Sequence, residues 1–165
     1  MNQLDTTAAL LRFALGVVML AHGWNHLFGP GGVEGTAKWF GSMGLRPPKV
    51  HALASGLTEL GAGTGLLLGL LTSLQCGAVV GVMTVALVTA HRRNGFFIFK
   101  AGQGWEYVAF LALTAVALAI LGPGELSLDD ALGIDLDGGV GLALSAGLGV
   151  AGATALLVTS WRPRQ

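Results

Sequence analysis

Two histidines, His22 and His26, stand four residues apart in one apolar run, and a glutamate, Glu59, stands inside the next. An i,i+4 pair shares one face of a helix. Imidazole and carboxylate groups can exchange protons near neutral pH, hold a polar head group, or ligate a metal. His51, Ser55, Thr58 and Glu59 follow the i, i+4, i+7, i+8 pattern and give their helix a polar stripe. His91 closes a third apolar run, and Trp105, Glu106 and Tyr107 open a fourth. Three kinds of chemistry suit this set. The first is a structural polar core, in which His–Glu hydrogen bonds fix helix register. The second is a pocket for a quinone or similar amphipath, with His22, His26, Glu59, His91 and Glu106 as proton-handling or head-group contacts and Trp105, Phe96 and Phe97 at its mouth. The third is a metal site with His22, His26, Glu59 and His91 as ligands; Gly23 stands where a zinc-protease helix would carry glutamate. The cofactor is left open between quinone and metal, and no catalytic residue is assigned.

Composition dictates what must position these groups. Of 165 residues, 53% are hydrophobic and 11% charged. A water-soluble domain carries about 25% charged residues, so most of the apolar side chains here must face lipid. The net charge is zero with no basic tract, which excludes nucleic acid as a natural partner. Cys76 is the only cysteine, which excludes an intramolecular disulfide. The segment Met1 to Thr7 carries Asp5 and neither Lys nor Arg, so the first helix is read as retained.

A membrane helix needs about 20 apolar residues. Five runs meet that need: Ala8 to Phe28, His51 to Leu71, Leu74 to His91, Trp105 to Leu121, and Val140 to Trp161. The fold class expected is an all-α membrane protein, one transmembrane domain over residues 1–165. An antiparallel four-helix body spans about 8–132, and a fifth transmembrane helix spans about 140–161. Gly122-Pro123-Gly124 is a strong stop signal, and an amphipathic piece lies around Thr36 to Met43. Lys38, Arg46 and Lys49 fall in the first loop, Arg92, Arg93 and Lys100 in the third, and Arg162 and Arg164 in the tail. The second and fourth loops have none. The positive-inside rule then places the chain in the bacterial inner membrane with its N-terminus outside and its C-terminus cytoplasmic.

In that frame every histidine and both embedded glutamates fall in the cytoplasmic half. His22 lies roughly 9 Å inside the helix end and Glu59 roughly 12 Å, at 1.5 Å per residue. Charge at such depth faces the protein interior or a wet cavity, so these two are expected to face each other, directly or through water. Arg12 is expected to snorkel to the outer head groups or to pair with an inward carboxylate. The acidic fourth loop reads as solvated. Gly61, Gly65 and Gly69, then Gly77 and Gly81, then Gly141, Ser145, Gly149 and Ala153 make small-residue faces for close packing inside the bundle or for a homo-oligomer seam on the fifth helix. Besides lipid, protein partners in a membrane complex are expected at the fifth helix and the basic loops.

Several segments together resemble the DoxX family of membrane proteins. They are LRFALGVVMLAHGWNHLFG from Leu11 to Gly29, Glu59-Leu60 with its glycine-rich segment, Asn94-Gly95-Phe96-Phe97, Gly104-Trp105-Glu106-Tyr107, and Gly122-Pro123-Gly124 followed by Ser127-Leu128-Asp129. The resemblance spans roughly Leu10 to Leu132. It implies a four-helix inner-membrane bundle. Some members are small subunits of thiosulfate:quinone oxidoreductases, and mycobacterial relatives are linked to a membrane complex handling oxidative and thiol stress. The resemblance therefore implies a redox-associated, quinone-linked subunit. The alternative is a non-catalytic scaffold that binds partners through the fifth helix. Two departures stand out: relatives often carry lysine where His26 stands, and the segment after Leu132 is an addition.

Overall fold

An apolar chain in lipid must satisfy its backbone polar groups internally, and a helix does so residue by residue. The computed structural model describes residues 2–163; Met1 and Arg164 lie outside them. Helix α1 runs Gln3–Phe28, α2 Gly32–Ser42, α3 Pro48–Leu68 and α4 Thr72–Ala86, the last continuing as a π turn over Leu87–His91. Helix α5 is Glu106–Leu121, and α6 is the short Leu128–Leu132. The fifth rod is composite: α7 at Gly138–Leu142, a π segment at Ala143–Leu148, then α8 at Gly149–Ser160. Among the described residues there is no strand, only a bridge between Leu45 and Trp161.

The ends of the helices are written locally. Asn2 caps α1 by accepting from the N–H groups of Leu4 and Asp5, and the Asp5 carboxylate accepts from the Asn2 N–H in return. This reciprocal box satisfies donors that the first turn leaves free. Pro48 opens α3, where its missing N–H costs nothing. Gly69, at φ +64°, ends it in the left-handed conformation that lacks a Cβ penalty.

Five long rods lie antiparallel, as the hydropathy runs predict. Among the described residues three are both long and apolar enough to cross a membrane: Gln3–Phe28, Thr72–His91 and Gly138–Ser160. The 21-residue α3 has the length, but its polar stripe dilutes its hydropathy. The 16-residue α5 is apolar but short, reaching about 24 Å against a hydrocarbon core of about 30 Å. The chain is a multi-pass membrane protein.

The rods form two halves. Helices α1, α2 and α3 make one, and α4 packs with α5 and α8 in the other. Lipid tails are as apolar as leucine, so close packing rather than water exclusion holds such helices together. Glycines supply that closeness. A Cβ on Gly23 would sit 2.8 Å from the Gly56 carbonyl oxygen, and one on Gly63 would sit 2.8 Å from that of Gly16. The α1–α3 seam therefore rests on two glycine pairs seven residues apart on each helix. Between the halves the core includes Leu15, Met19, Leu66, Val79, Leu111 and Leu118.

The small-residue face of the fifth rod packs against α4 within the same chain. A Cβ on Gly77 would lie 2.7 Å from the Leu144 carbonyl oxygen, and one on Gly149 2.7 Å from that of Gly77. The end of the rod is tied to the loop between α2 and α3. Arg46 N–H donates to the Ser160 carbonyl at 2.8 Å, Arg162 N–H to that of Gly44 at 2.8 Å, and Trp161 Nε1–H to that of Met43 at 2.9 Å.

Candidate functional site: a polar-floored cavity at the basic end

A half-open cavity of about 810 Å³ lies between the two halves. Every rod contributes to its wall. The side chains are mainly apolar, among them Phe40, Met83, Val108, Leu144 and Leu156. His22, His26, His51, Glu59, His91 and Tyr107 are among its polar groups. The four histidines, from three helices, all line this cavity.

The deepest polar group is Glu59, 1% exposed. Its partner differs from the expected one. His26 Nδ1 lies 2.9 Å from Glu59 Oε2, while the exposed His22 turns toward Tyr107 on α5, ring centroids 6.3 Å apart. Helix geometry explains the correction. Gly23 faces Gly56 on α3; at 3.6 residues per turn His26 lies about 60° from that direction and His22 about 100°, so His26 meets Glu59. The His26–Glu59 approach is a short polar contact without the alignment of a hydrogen bond. The other carboxylate oxygen, Oε1, accepts from the Ser55 hydroxyl at 2.9 Å. The His26 ring is held edge-on by Phe40, with centroids 5.6 Å apart. A buried carboxylate orienting an imidazole is the usual support for a group that takes and gives protons.

His91 reaches the cavity through backbone geometry that the sequence does not advertise. The N–H of Arg92 bonds the carbonyl of Leu87, five residues back, at 2.8 Å. Such π turns rotate the residues that follow and are frequent at functional sites. The His91 Nδ1 lies 2.8 Å from the Gln103 carbonyl oxygen, pinning the loop over residues 94–104 to the cavity rim. The second π segment, Ala143–Leu148, brings Leu144 and Leu148 to the opposite wall.

Other expectations change. Trp105 and Glu106 stand outside the wall: Trp105 stacks edge-on against Phe96 at 4.8 Å, and Glu106 Oε1 accepts the Ile98 N–H at 2.8 Å. Both brace the loop, and Ile98 and Gln103 line the rim where Phe96 and Phe97 were expected. The set His22, His26, Glu59 and His91 does not converge as ligands. Among the described residues no three His, Cys, Asp or Glu side chains come together to hold a metal ion.

At the opposite end, Arg12 does not snorkel. It is 4% exposed and donates through Nη2 to the Leu126 carbonyl, with Nε and Nη1 unpartnered. The acidic loop is not wholly solvated either. Asp129, 3% exposed, accepts from the N–H groups of Leu71 at 2.6 Å and Thr72 at 2.8 Å, capping α4 from across the loop. Asp5 Oδ1 accepts from the Glu125 N–H at 3.2 Å. Asp129 and Asp5 thus bind two neighbouring segments to the acidic loop.

The DoxX sequence profile matches residues 7–92. The chain belongs to the DoxX family. The matched residues include every histidine of the cavity and Glu59; the loop over 94–104 and the fifth rod of this DoxX protein follow them. The chain is also similar to a protein of Bacillus subtilis (strain 168) that bears the name "Putative oxidoreductase CatD". The two are 30% identical over 120 residues, covering 73% of this chain and 82% of the relative. No solved structure matches the chain.

Proposed function

We propose that this DoxX protein is a small redox-associated subunit of the bacterial inner membrane whose cavity holds the head group of a quinone-type amphipath. The observation that carries the reading is the buried His26–Glu59 pair at the floor of an apolar cavity. Ligand pockets of about 300–1,000 Å³ with apolar walls and a few polar groups suit one amphipathic molecule, and this cavity falls in that range. An apolar tail would lie against Val108, Leu144 and Leu156, and the ring would meet the histidines. The relative's name agrees with redox chemistry. In this reading a quinone takes two electrons and two protons and becomes a quinol. Two thiols or two thiosulfates supply the two electrons and join as one disulfide or one tetrathionate; the two protons come from the thiols or, with thiosulfate, from water. His26 and Glu59 handle the protons, and His22 and His91 complete the polar wall.

The same reading places the cavity near the cytoplasmic face. Arg46, Arg92, Lys100 and Arg162 belong to loops at the cavity end and Lys49 to the first turn of α3, the pattern that the positive-inside rule assigns to the cytoplasm.

Quinone reduction by the chain reconstituted in liposomes, with thiol or thiosulfate as donor, tests it. General acid–base groups contribute about 100-fold or more to rate. His26→Ala and Glu59→Ala are expected to lower turnover by at least about that factor while the protein still elutes as a folded species. Unchanged turnover in both variants overturns the assigned roles.

A further inference from the structure

The cavity is half-open, and the fold locates its open side. Its back wall is one face of α4, where Gly77, Gly81 and Val85 recur at four-residue spacing. Helix α3 packs on α1, α2 and α4, and the fifth rod packs on α4 and α5. The two therefore flank the α4 face with a slot between them. Small residues edge this slot: Ala54, Ser55 and Thr58 on α3, and Gly149, Gly152 and Ala153 on the rod. Ala54, Thr58 and Gly152 are exposed although they line the cavity. A Cβ on Gly152 would meet no described atom within 4 Å. Ala54 and Thr58 lie roughly 9 and 15 Å from the start of α3, and Gly152 roughly 12 Å from the end of the rod, at 1.5 Å per residue. The slot thus opens at hydrocarbon depth, beside the exposed Leu57 and Leu148.

Both ends of the slot are tied. At the basic end the Arg46 N–H bond to the Ser160 carbonyl and the Trp161 Nε1–H bond to the Met43 carbonyl strap the loop before α3 to the rod. At the acidic end the Ser73 hydroxyl donates to the Leu136 carbonyl at 2.7 Å, which joins the α3–α4 turn to the segment ahead of the rod. An opening strapped at both water-facing ends and free at mid-depth admits what the bilayer carries.

We infer that this slot is a side window for a membrane-dissolved amphipath, whose ring rests at the His26–Glu59 floor while its tail stays threaded between Ala54 and Gly152 into the lipid. The inference rests on the reading of the cavity as an amphipath site. It specifies the substrate class, long-tailed and lipid-borne rather than water-borne, and the residues that gate its entry.

The test titrates two quinones against the full chain in nanodiscs, with empty nanodiscs as the blank. One is decyl-1,4-benzoquinone, and the other is methyl-1,4-benzoquinone, which has no tail and dissolves in water. Quenching of tryptophan fluorescence reads binding, since Trp39 lines the cavity. Gly152→Phe and Ala54→Phe fill the window from its two sides. Gly61→Phe, also on α3 with open space at its Cβ position and outside the cavity lining, is the control. Overpacking a threaded tail corresponds to about a ten-fold loss or more. Each window variant is expected to weaken binding of the decyl quinone by at least about that factor and to leave the methyl quinone unchanged; the control is expected to change neither. Should one window variant misfold, the other carries the test. Unchanged binding of the decyl quinone, or an equal loss of both quinones, overturns the window and leaves the amphipath site standing. No binding of either quinone by the unsubstituted chain overturns both.

Discussion

At the scale of single residues, the sequence could identify types but not partners. His22 and His26 share a helix face, and nothing in their spacing says which of them meets Glu59. The close approach of Gly23 to Gly56 decides it. The seven-residue spacing of Gly16 and Gly23, matched by Gly56 and Gly63, is a legible signal that points to that seam. Asp129 was harder to read. An acidic residue in a polar loop looks the same whether water or a helix end solvates it, and only the fold shows its carboxylate holding the Leu71 and Thr72 N–H groups. An amide at that position accepts one of those bonds and opposes the other. Asp129→Asn is therefore expected to cost about 1–3 kcal/mol, the penalty of leaving a buried donor unsatisfied. Thermal unfolding of the purified protein in detergent, followed by circular dichroism, measures this; an unchanged midpoint would show that the α4 cap contributes nothing.

At the scale of elements, the five rods were legible because each apolar run ends at a glycine, a proline or a charged segment. The α2 helix was visible only as an amphipathic piece. The π turns and α6 were not visible at all, since hydropathy carries no record of a one-residue shift in hydrogen bonding. The fifth rod changes most in meaning. Seen in sequence its small-residue face suits packing inside the bundle or a seam with a second copy; in the fold that face lies on α4, and Leu144, Leu148 and Leu156 form one wall of the cavity. Gly77→Leu places a side chain where the Leu144 carbonyl now lies. It is expected to displace the rod, at about 1–3 kcal/mol of overpacking strain, and to weaken binding of a decyl-1,4-benzoquinone probe. Gly61→Leu, with nothing within 4 Å of its Cβ position, is the matched control. Equal affinity in the two variants would separate the rod from the site.

At the scale of the whole molecule, charge and helix count agree. The basic segments gather at the cavity end, and the acidic loop, with Asp129 and Asp5, gathers at the other. Cys76 is buried, so single introduced cysteines report on sidedness without background. A membrane-impermeant maleimide applied to intact spheroplasts is expected to label Asp135→Cys and to spare Ser42→Cys. The reverse pattern would invert the orientation proposed for the chain.

The bonds from Arg46, Trp161 and Arg162 between the fifth rod and the first long loop also carry a consequence for biogenesis. During synthesis α1 to α5 leave the ribosome before the rod does, and domains fold in that direction. Until residues 138–160 enter the bilayer, the His26–Glu59 floor lies open on one flank to the acyl chains. Insertion of that rod is thus the step that completes the wall of the chamber.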